Sequence, residues 1–171
     1  NWRASRLEAA NTFAVSSELT PFAFSSPHFS LAAQMEAPWD DCISITGTNT
    51  YEQDWYRKQN MPVFCWSSLA GGWFSGRIRR DQVEAYAEEL FVRCYHSDDN
   101  WKRLERAQTF GKSIGASAAQ VALAYVLQQS FRTFPLVAAY SKAEFDACAA
   151  ALDISLAEND LAWLDLRVNN R

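Results

Sequence analysis

The sequence predicts an α/β fold, a partial (β/α)8 TIM barrel, and three observations lead to this prediction. Three short apolar runs stand where strands are expected, over residues 21–25, 62–67 and 133–139. They lack the polar alternation of half-exposed strands, which fits a parallel sheet covered on both faces. Amphipathic stretches separate them, and this alternation produces parallel sheets. A full barrel takes about 250 residues, so 171 residues with three strands indicate part of one, unless the sheet is small and open.

The boundaries of the helices are also marked in the sequence. Ser117, Ser141 and Ser155 are each followed three positions later by Gln or Glu, the pattern of a capping box at a helix start. The helix after Ser117 is apolar on nearly every face, so we expect it to be deeply buried. The two others are expected over residues 143–152 and 158–166, and further helices over residues 4–14, 51–59, 83–94 and 102–114.

Composition and charge exclude several classes of function. The chain is 49% apolar and 21% charged, as in globular proteins. Its net charge of -4, with 16 Lys and Arg scattered along the sequence, offers no basic surface for nucleic acid or an acidic membrane. No apolar run approaches the roughly 20 residues of a membrane span. The four cysteines form no CxxC motif or metal-ligand spacing, and we expect buried free thiols. We therefore expect a soluble, cytoplasmic, single domain over residues 1–171.

Two groups of acid-base residues are candidates for catalysis. Tyr95 and His96 lie close to Asp98 and Asp99, but their place at the end of a predicted surface helix favours a solvated helix end. His28 lies in a loop after the first apolar run, where a packed histidine is the expected role and contact with a ligand is the alternative.

Residues 62–77 (PVFCWSSLAGGWFSGR) carry the clearest chemical signal. The apolar run places Trp66 at the carboxyl end of a strand, where ligands bind in parallel α/β folds. Gly71 allows the backbone to approach a ligand, and Ser67 and Ser68 add hydroxyls suited to phosphate oxygens. A Gly-rich turn in which Trp66 simply fills the barrel explains the same residues equally well.

This stretch resembles the segment around the seventh strand of aldo-keto reductases, where an aromatic residue stacks on the nicotinamide ring. Other segments of the chain resemble the same family in the same order, and together they cover essentially the whole chain. The resemblance therefore implies the carboxyl-terminal half of the barrel, strands five or six to eight with their helices. The segments are residues 1–7 and 25–31 (ends of strands five and six), 100–104 and 117–128 (seventh helices), 134–148 (eighth strand and helix) and 161–166 (closing helix).

The resemblance implies the reduction of an aldehyde or ketone with NADP or NAD as coenzyme. It implies that Trp66 stacks on the nicotinamide and that Asn1 binds its carboxamide. Ser67, Leu69 and Gly71 would line the pyrophosphate, with a nearby arginine as a cation for phosphate. The full set of implied coenzyme residues is Asn1, Ser26, Trp66, Ser67, Ser68, Leu69, Gly71, Arg77, Tyr140, Glu144 and Cys148.

Several of these residues depart from the pattern of the family. Ser26 stands where the family usually has Gln, and its hydroxyl is too short for the same reach to the carboxamide. Tyr140, Glu144 and Cys148 stand at the adenine end in place of the family's polar, basic and Glu-Asn residues. Glu144 would repel a 2′-phosphate, because two anions about 4 Å apart cost about 4 kcal/mol at an effective dielectric constant near 20. The choice between NADP and NAD therefore stays open.

The family's proton donor is a Tyr assisted by a Lys, an Asp and a His, and the resemblance places all four on strands that precede Asn1. We therefore expect no catalytic residue in this chain and low activity from it alone. The expected partners are a small carbonyl substrate and an amino-terminal half-barrel or another chain, including a second copy. The alternative function is a non-catalytic half-barrel that binds a nucleotide or a partner chain through its open face.

Overall fold

The computed structural model of the chain describes residues 1–47 and 49–171. Among these residues, no helix combines the length and the apolar character that crossing a membrane requires. In chain order the elements are α1 (Ala4–Ser16), α2 (Thr50–Gln59), β1 (Val63–Cys65), 3₁₀ turns at Ala70–Ser75 and Arg80–Tyr86, α3 (Leu90–Tyr95), α4 (Asp98–Ile114), α5 (Ala118–Leu127), β2 (Thr133–Pro135), α6 (Lys142–Ala149), a 3₁₀ turn at Ala150–Asp153 and α7 (Glu158–Leu164).

The two strands pair in parallel, with Phe64 of β1 opposite Phe134 of β2. The prediction of parallel strands in the apolar runs 62–67 and 133–139 is therefore confirmed, but each strand is only three residues long. β2 ends at Pro135, and one further backbone bond, from Leu136 N to Cys65 O at 2.9 Å, closes the ladder.

The prediction of a full strand over residues 21–25 is wrong. In this run Ser25 forms an isolated parallel bridge to Val63. Upstream of it, the side chain of Asn11 takes the backbone groups that a strand would use. Phe22 N donates to Asn11 Oδ1 at 2.8 Å, and Asn11 Nδ2 donates to Phe22 O at 3.3 Å. Such side-chain bonds compete directly with sheet formation.

The two faces of the sheet have different surroundings. Val63 and Cys65 are fully buried in the core, and Phe64 points to the opposite face because side chains alternate along a strand. There the Phe64 ring lies 5.0 Å from Phe24 and 5.1 Å from Phe134. Phe24 is 55% exposed and Phe134 41% exposed. Phe24, Phe64 and Phe134 thus form an open aromatic face.

The core is built around α5, as its apolar sequence predicts. Residues 121–126 are all buried, and α4 packs alongside them. The capping box at the start of α5 is confirmed: Gln120 N donates to Ser117 Oγ at 3.2 Å, and Ser117 N donates to Gln120 Oε1 at 2.8 Å. These bonds satisfy backbone N–H groups that a helix start leaves without partners.

The helix expected over residues 83–94 is divided in two. A 3₁₀ turn ends at Tyr86, the backbone at Glu89 is extended, and α3 then begins at Leu90. Packing sets this arrangement, because α3 lies directly against the loop that follows β1. Helical periodicity alone does not report such a contact. The helix expected from residue 102 begins earlier, at Asp98, where Ser97 caps α4.

The last two helix starts differ in how well the sequence predicts them. Ser141 caps α6, with Glu144 N donating to its Oγ at 3.2 Å. The prediction that Ser155 caps the final helix is wrong, because α7 has Ala157 at its N-cap. Ala157 N donates to Asp160 Oδ2 at 3.0 Å, so a nearer carboxylate supplies the acceptor. Of the helix expected over 143–152, the first part is the α-helix α6, and a 3₁₀ turn follows from Ala150.

Candidate functional site

Trp66 directly follows β1, at the carboxyl end of the parallel pair. Its Nε1 donates to Asn1 Oδ1 at 2.9 Å. The fold thus joins the two side chains predicted to bind the nicotinamide, although they are far apart in the sequence. Since this bond engages the amide oxygen of Asn1, the Nδ2 amino group is the part of the side chain suited to a ligand's acceptor.

Two other aromatic rings contact the Trp66 indole. The His28 imidazole lies 4.9 Å away between ring centroids, at an interplanar angle of 57°. Trp39 lies at the same centroid distance, 4.9 Å, and is tilted by only 30°. His28 is fully buried, whereas Trp39 is 52% exposed. Trp66 therefore contacts one buried ring and one exposed ring, and the exposed ring is the more nearly parallel to it.

A buried polar cluster around His28 supports Trp66. His28 Nδ1 lies 2.7 Å from Ser44 Oγ, and His28 Nε2 lies 3.0 Å from the Tyr95 hydroxyl and 3.3 Å from Ser30 Oγ. Burial lowers the pKa of His28 to about 3, because the charged form loses its hydration. The expected packed histidine is confirmed, and the imidazole is neutral at physiological pH.

The expectation of a solvated end for the helix at Tyr95 is wrong for this residue. Tyr95 is 3% exposed, whereas its neighbour His96 is exposed. Burial is the main influence on the Tyr95 phenol and raises its pKa, against a smaller lowering by its hydrogen bond with Ser67. A phenol of this kind holds its proton and serves as a hydrogen-bond partner for the cluster.

The loop after Trp66 turns sharply through small residues. Ser67 has a left-handed backbone with φ of 49°, and Ala70 N donates to Ser67 O at 2.7 Å. The Ser68 hydroxyl is buried and donates to Cys65 O at 2.7 Å, so its proton is used within the fold. Leu69 is half-buried and packs against the core.

Gly71 is required here by packing as well as by backbone conformation. Its φ is +62°, and a Cβ atom at this position would lie 2.8 Å from the Cβ of Phe91. A substitution would therefore push α3 away from the loop. The Arg77 guanidinium lies over the same phenyl ring, 4.8 Å from the centroid. Phe91 thus connects the loop, α3 and the exposed cation predicted to bind phosphate.

A small cavity of about 220 Å³ opens beside Trp66. Its wall combines Trp66, Ser67 and Gly71 with side chains from α3 and with Trp39. Ligand sites usually measure roughly 300–1,000 Å³, so this cavity fits one ring-sized group rather than a dinucleotide.

The remaining predicted residues lie at two places. The Ser26 hydroxyl donates to Phe64 O at 2.7 Å, which ties the loop to β1. Tyr140 is 95% exposed, and its N–H donates to Glu144 Oε2 at 2.7 Å. Glu144 and the half-buried Cys148 lie on α6. The side chains predicted to hold adenine are thus at the surface, and none of them lines the cavity at Trp66.

Sequence reasoning missed Trp39 and assigned Tyr95 to the wrong environment. Trp39 lies in a segment without helical or strand periodicity, so no local pattern predicts its contact with Trp66. Tyr95 is next to Cys94 in an amphipathic stripe, but its bond to His28 spans elements distant in sequence. Only the adjacent Pro38-Trp39 pair, a large aromatic beside a turn-forming residue, could have attracted attention.

Comparison with known proteins identifies relatives of the fold. The model of the Aldo/keto reductase family matches residues 1–166. No curated protein matches the chain. Within the described residues, no group of three or more His, Cys, Asp or Glu is placed to hold a metal ion.

A solved structure with a similar fold is that of an aldo-keto reductase from Klebsiella pneumoniae in complex with NADPH. It superposes with a TM-score of 0.62 at 22% sequence identity, over 98% of this chain and 45% of the other. The chain therefore spans less than half the length of this structural relative.

Proposed function

The chain belongs to the aldo/keto reductase family, and we propose that it forms the coenzyme-binding part, one domain over residues 1–171, of an enzyme that reduces aldehydes or ketones with NADPH or NADH. The observation that carries this proposal is the 2.9 Å hydrogen bond between Trp66 and Asn1 at the end of β1. It orients an indole and a carboxamide-binding group beside a cavity that Ser67 and Gly71 also line.

The residues around Trp66 fit the nicotinamide end of such a coenzyme. The indole offers a flat apolar bed, and Asn1 Nδ2 is suited to donate to the carboxamide oxygen. When bound, the coenzyme supplies the hydride. Trp66 and Asn1 orient the ring that carries it, and the buried cluster of His28 and Tyr95 keeps the indole in place.

The loop residues fit the phosphate groups less completely. Ser67 and Gly71 line the cavity, and Arg77 is a nearby exposed cation. We assign Ser67, Leu69, Gly71 and Arg77 to the pyrophosphate. Ser26 and Ser68 donate their hydroxyl protons to backbone carbonyls and have only their oxygen lone pairs to offer.

The adenine end supports a weak contact. Tyr140, Glu144 and Cys148 are the residues that we assign to it, and the Glu144 carboxylate accepts a bond from Tyr140 N. A carboxylate here disfavours a 2′-phosphate by charge repulsion. This favours NADH over NADPH as the reductant, although the structural relative is a complex with NADPH.

The proton for the reduced carbonyl is proposed to come from a part of the enzyme outside these residues. An effective donor is a phenol whose pKa is lowered by a neighbouring cation. Tyr95 has the opposite environment: its partner His28 is neutral and burial raises the pKa of the phenol. We therefore propose that an amino-terminal half-barrel supplies the catalytic groups. The open aromatic face and the 45% coverage of the structural relative support this.

The test is a calorimetric titration of the chain with NADH and with NADPH. Stacking contacts between an aromatic side chain and a base are worth roughly 1–3 kcal/mol, so Trp66→Leu is expected to weaken binding by about tenfold. Trp163→Leu is the matched control: it also loses a partly buried indole, which packs under Arg106 in the middle of α4. It is expected to leave affinity unchanged. Equal affinities of Trp66→Leu and the parent would contradict the proposal.

A non-catalytic binding module is the second candidate. The contact of Trp39 with Trp66 favours this candidate, because an indole that already packs against another ring is less available to a coenzyme. Mixing the chain with an amino-terminal half-barrel of a reductase separates the two functions. Oxidation of NADH or NADPH by an aldehyde in the mixture supports the enzyme, and coenzyme binding without turnover supports the module.

A further inference from the structure

The proposed function needs a face of the Trp66 indole for a nicotinamide ring, and two rings, His28 and Trp39, already contact that indole. His28 is fixed in place. It is fully buried, pairs with Trp66 through a parallel backbone bridge, and holds hydrogen-bond partners on both ring nitrogens. Moving it would leave buried polar groups without partners, which is costly. Trp39 is half exposed, so the face that it covers is the one that can be freed.

We propose that Trp39 competes with the nicotinamide ring for Trp66, so that residues 36–42, the Trp39 segment, form a cover that has to leave before the coenzyme binds. Trp39 is then the residue that sets the coenzyme affinity of this site. The inference rests on the proposed function and names a determinant within the same site.

The Trp39 segment is anchored at its ends and loosely held between them. On one side Met35 N donates to Cys94 O at 2.7 Å, and on the other His28 N donates to Ile43 O at 3.1 Å. Between these anchors the ties are a turn in which Cys42 N donates to Trp39 O at 3.3 Å and an exposed ion pair of Glu36 with Arg93. Exposed ion pairs and single turns contribute little to stability, so the segment can swing about its two anchors.

The cavities on either side of Trp39 explain what its movement would achieve. The indole lines the 220 Å³ cavity at Trp66 and also a crevice of about 540 Å³ that contains Asn1. Because the Trp39 indole lines both spaces, its departure is expected to join them into one space within the roughly 300–1,000 Å³ of ordinary ligand sites.

Opening of the Trp39 segment would also change the charge of the crevice in favour of coenzyme binding. With the segment closed, Asp40 and Asp41 share the crevice with Arg3 and Arg6. Asp40 and Asp41 belong to the segment and leave with it, whereas Arg3 and Arg6 lie at the start of the chain and stay. Opening therefore enlarges the space and makes it more positive, as the phosphates of a dinucleotide require.

The experiment is a calorimetric titration of the chain and its Trp39→Ala variant with NADPH and NADH. Removing the competing aromatic ring is expected to tighten binding by about two- to tenfold. Trp39→Phe keeps a smaller ring and is expected to lie between parent and Trp39→Ala. Tyr51→Ala, which removes an aromatic side chain of similar exposure on α2, is expected to bind like the parent.

A second readout follows the cover itself. Two indoles 4.9 Å apart couple in circular dichroism, and so do Trp73 and Trp101 at 4.7 Å, so the Trp39–Trp66 signal is taken as the difference between the parent and Trp39→Phe. This difference is expected to vanish on saturation with reduced coenzyme. A difference that survives saturation overturns the proposal, because Trp39 and Trp66 would then stay stacked.

The outcomes separate this inference from the function on which it rests. Weaker coenzyme binding by Trp39→Ala would show that Trp39 is part of the binding site and would overturn the proposed cover. Unchanged binding would overturn it as well. In both cases, weaker binding by Trp66→Leu would still support the proposed function. If neither the parent nor Trp39→Ala binds either coenzyme, the proposed function fails together with the cover.

Discussion

At the scale of single residues, His28 shows how burial chooses a protonation state. Its imidazole is enclosed by Ser44, Ser30 and Tyr95, all of which are neutral hydrogen-bond partners. Without a nearby carboxylate among its contacts, the loss of hydration decides the balance, and the pKa of His28 falls to about 3. The group that supports Trp66 is therefore a neutral ring whose charging would break the cluster.

This leads to a prediction about pH. The pKa of His28 is near 6.5 in the unfolded chain and about 3 in the folded one. Between these values only the unfolded chain binds the proton, so the free energy of unfolding falls as the pH is lowered. The His28 contribution is about 2 kcal/mol between pH 6.5 and pH 5. Urea unfolding at pH 7 and pH 5 measures it, above the range in which most carboxylates titrate.

The control for this prediction is the second histidine. His28→Gln removes the titrating group and is expected to make stability nearly independent of pH over that range, from a lower starting value. His96→Gln, at an exposed position, is expected to keep the parent's full decline. The same decline in His28→Gln as in the parent would show that another group is responsible.

At the scale of elements, two serines with the same sequence signal behave differently. Ser117 accepts the hydrogen bond of Gln120 N at the start of α5, whereas α7 is capped at Ala157 rather than at Ser155. Ser117→Ala is expected to lower the free energy of unfolding by about 1 kcal/mol. Ser155→Ala is expected to change it by less than about 0.5 kcal/mol. Urea denaturation midpoints test the pair, and equal losses would contradict the boundary of α7.

The same contrast explains how much of the fold the sequence predicts. α5 and the two parallel strands follow from apolar runs and caps, since both signals are local and agree with each other. The run at 21–25 has the composition of a strand, but Asn11, from α1, takes the backbone groups of Phe22. The break before α3 likewise depends on packing against Gly71. Local patterns do not contain either contact.

The residues of the candidate site likewise differ in whether a local sequence pattern predicts them. Trp66 could be found because a strand end followed by small residues is a local signal. Its hydrogen bond joins it to Asn1, the other residue that the resemblance assigns to the nicotinamide, and that assignment stays a prediction. Trp39 and Tyr95 could not be assigned, because their roles depend on contacts with Trp66 and His28 that the fold creates. The adenine-end residues remain predictions from resemblance alone.

At the scale of the whole molecule, the two faces of the small sheet differ in how well they are covered. Its core face is filled by Val63 and Cys65, while the open aromatic face exposes Phe24 and Phe134. Short parallel strands with free edges and one uncovered apolar face favour association. A half-barrel that continues the sheet would cover this face, and under the proposed function it would bring the catalytic groups to the end of β1.

We therefore expect the isolated chain to self-associate through the open aromatic face and to bind an apolar fluorescent dye. In sedimentation equilibrium its weight-average mass is expected to exceed the 19.4 kDa of a monomer. The Phe24→Asp, Phe134→Asp double variant places two charges on that face and is expected to be monomeric with reduced dye binding, because charges at such a face oppose pairing. Leu152→Asp, at an apolar position that is 71% exposed elsewhere, is expected to associate like the parent. A parent that sediments as a monomer and binds no dye would remove the physical reason for a second half-barrel at this face.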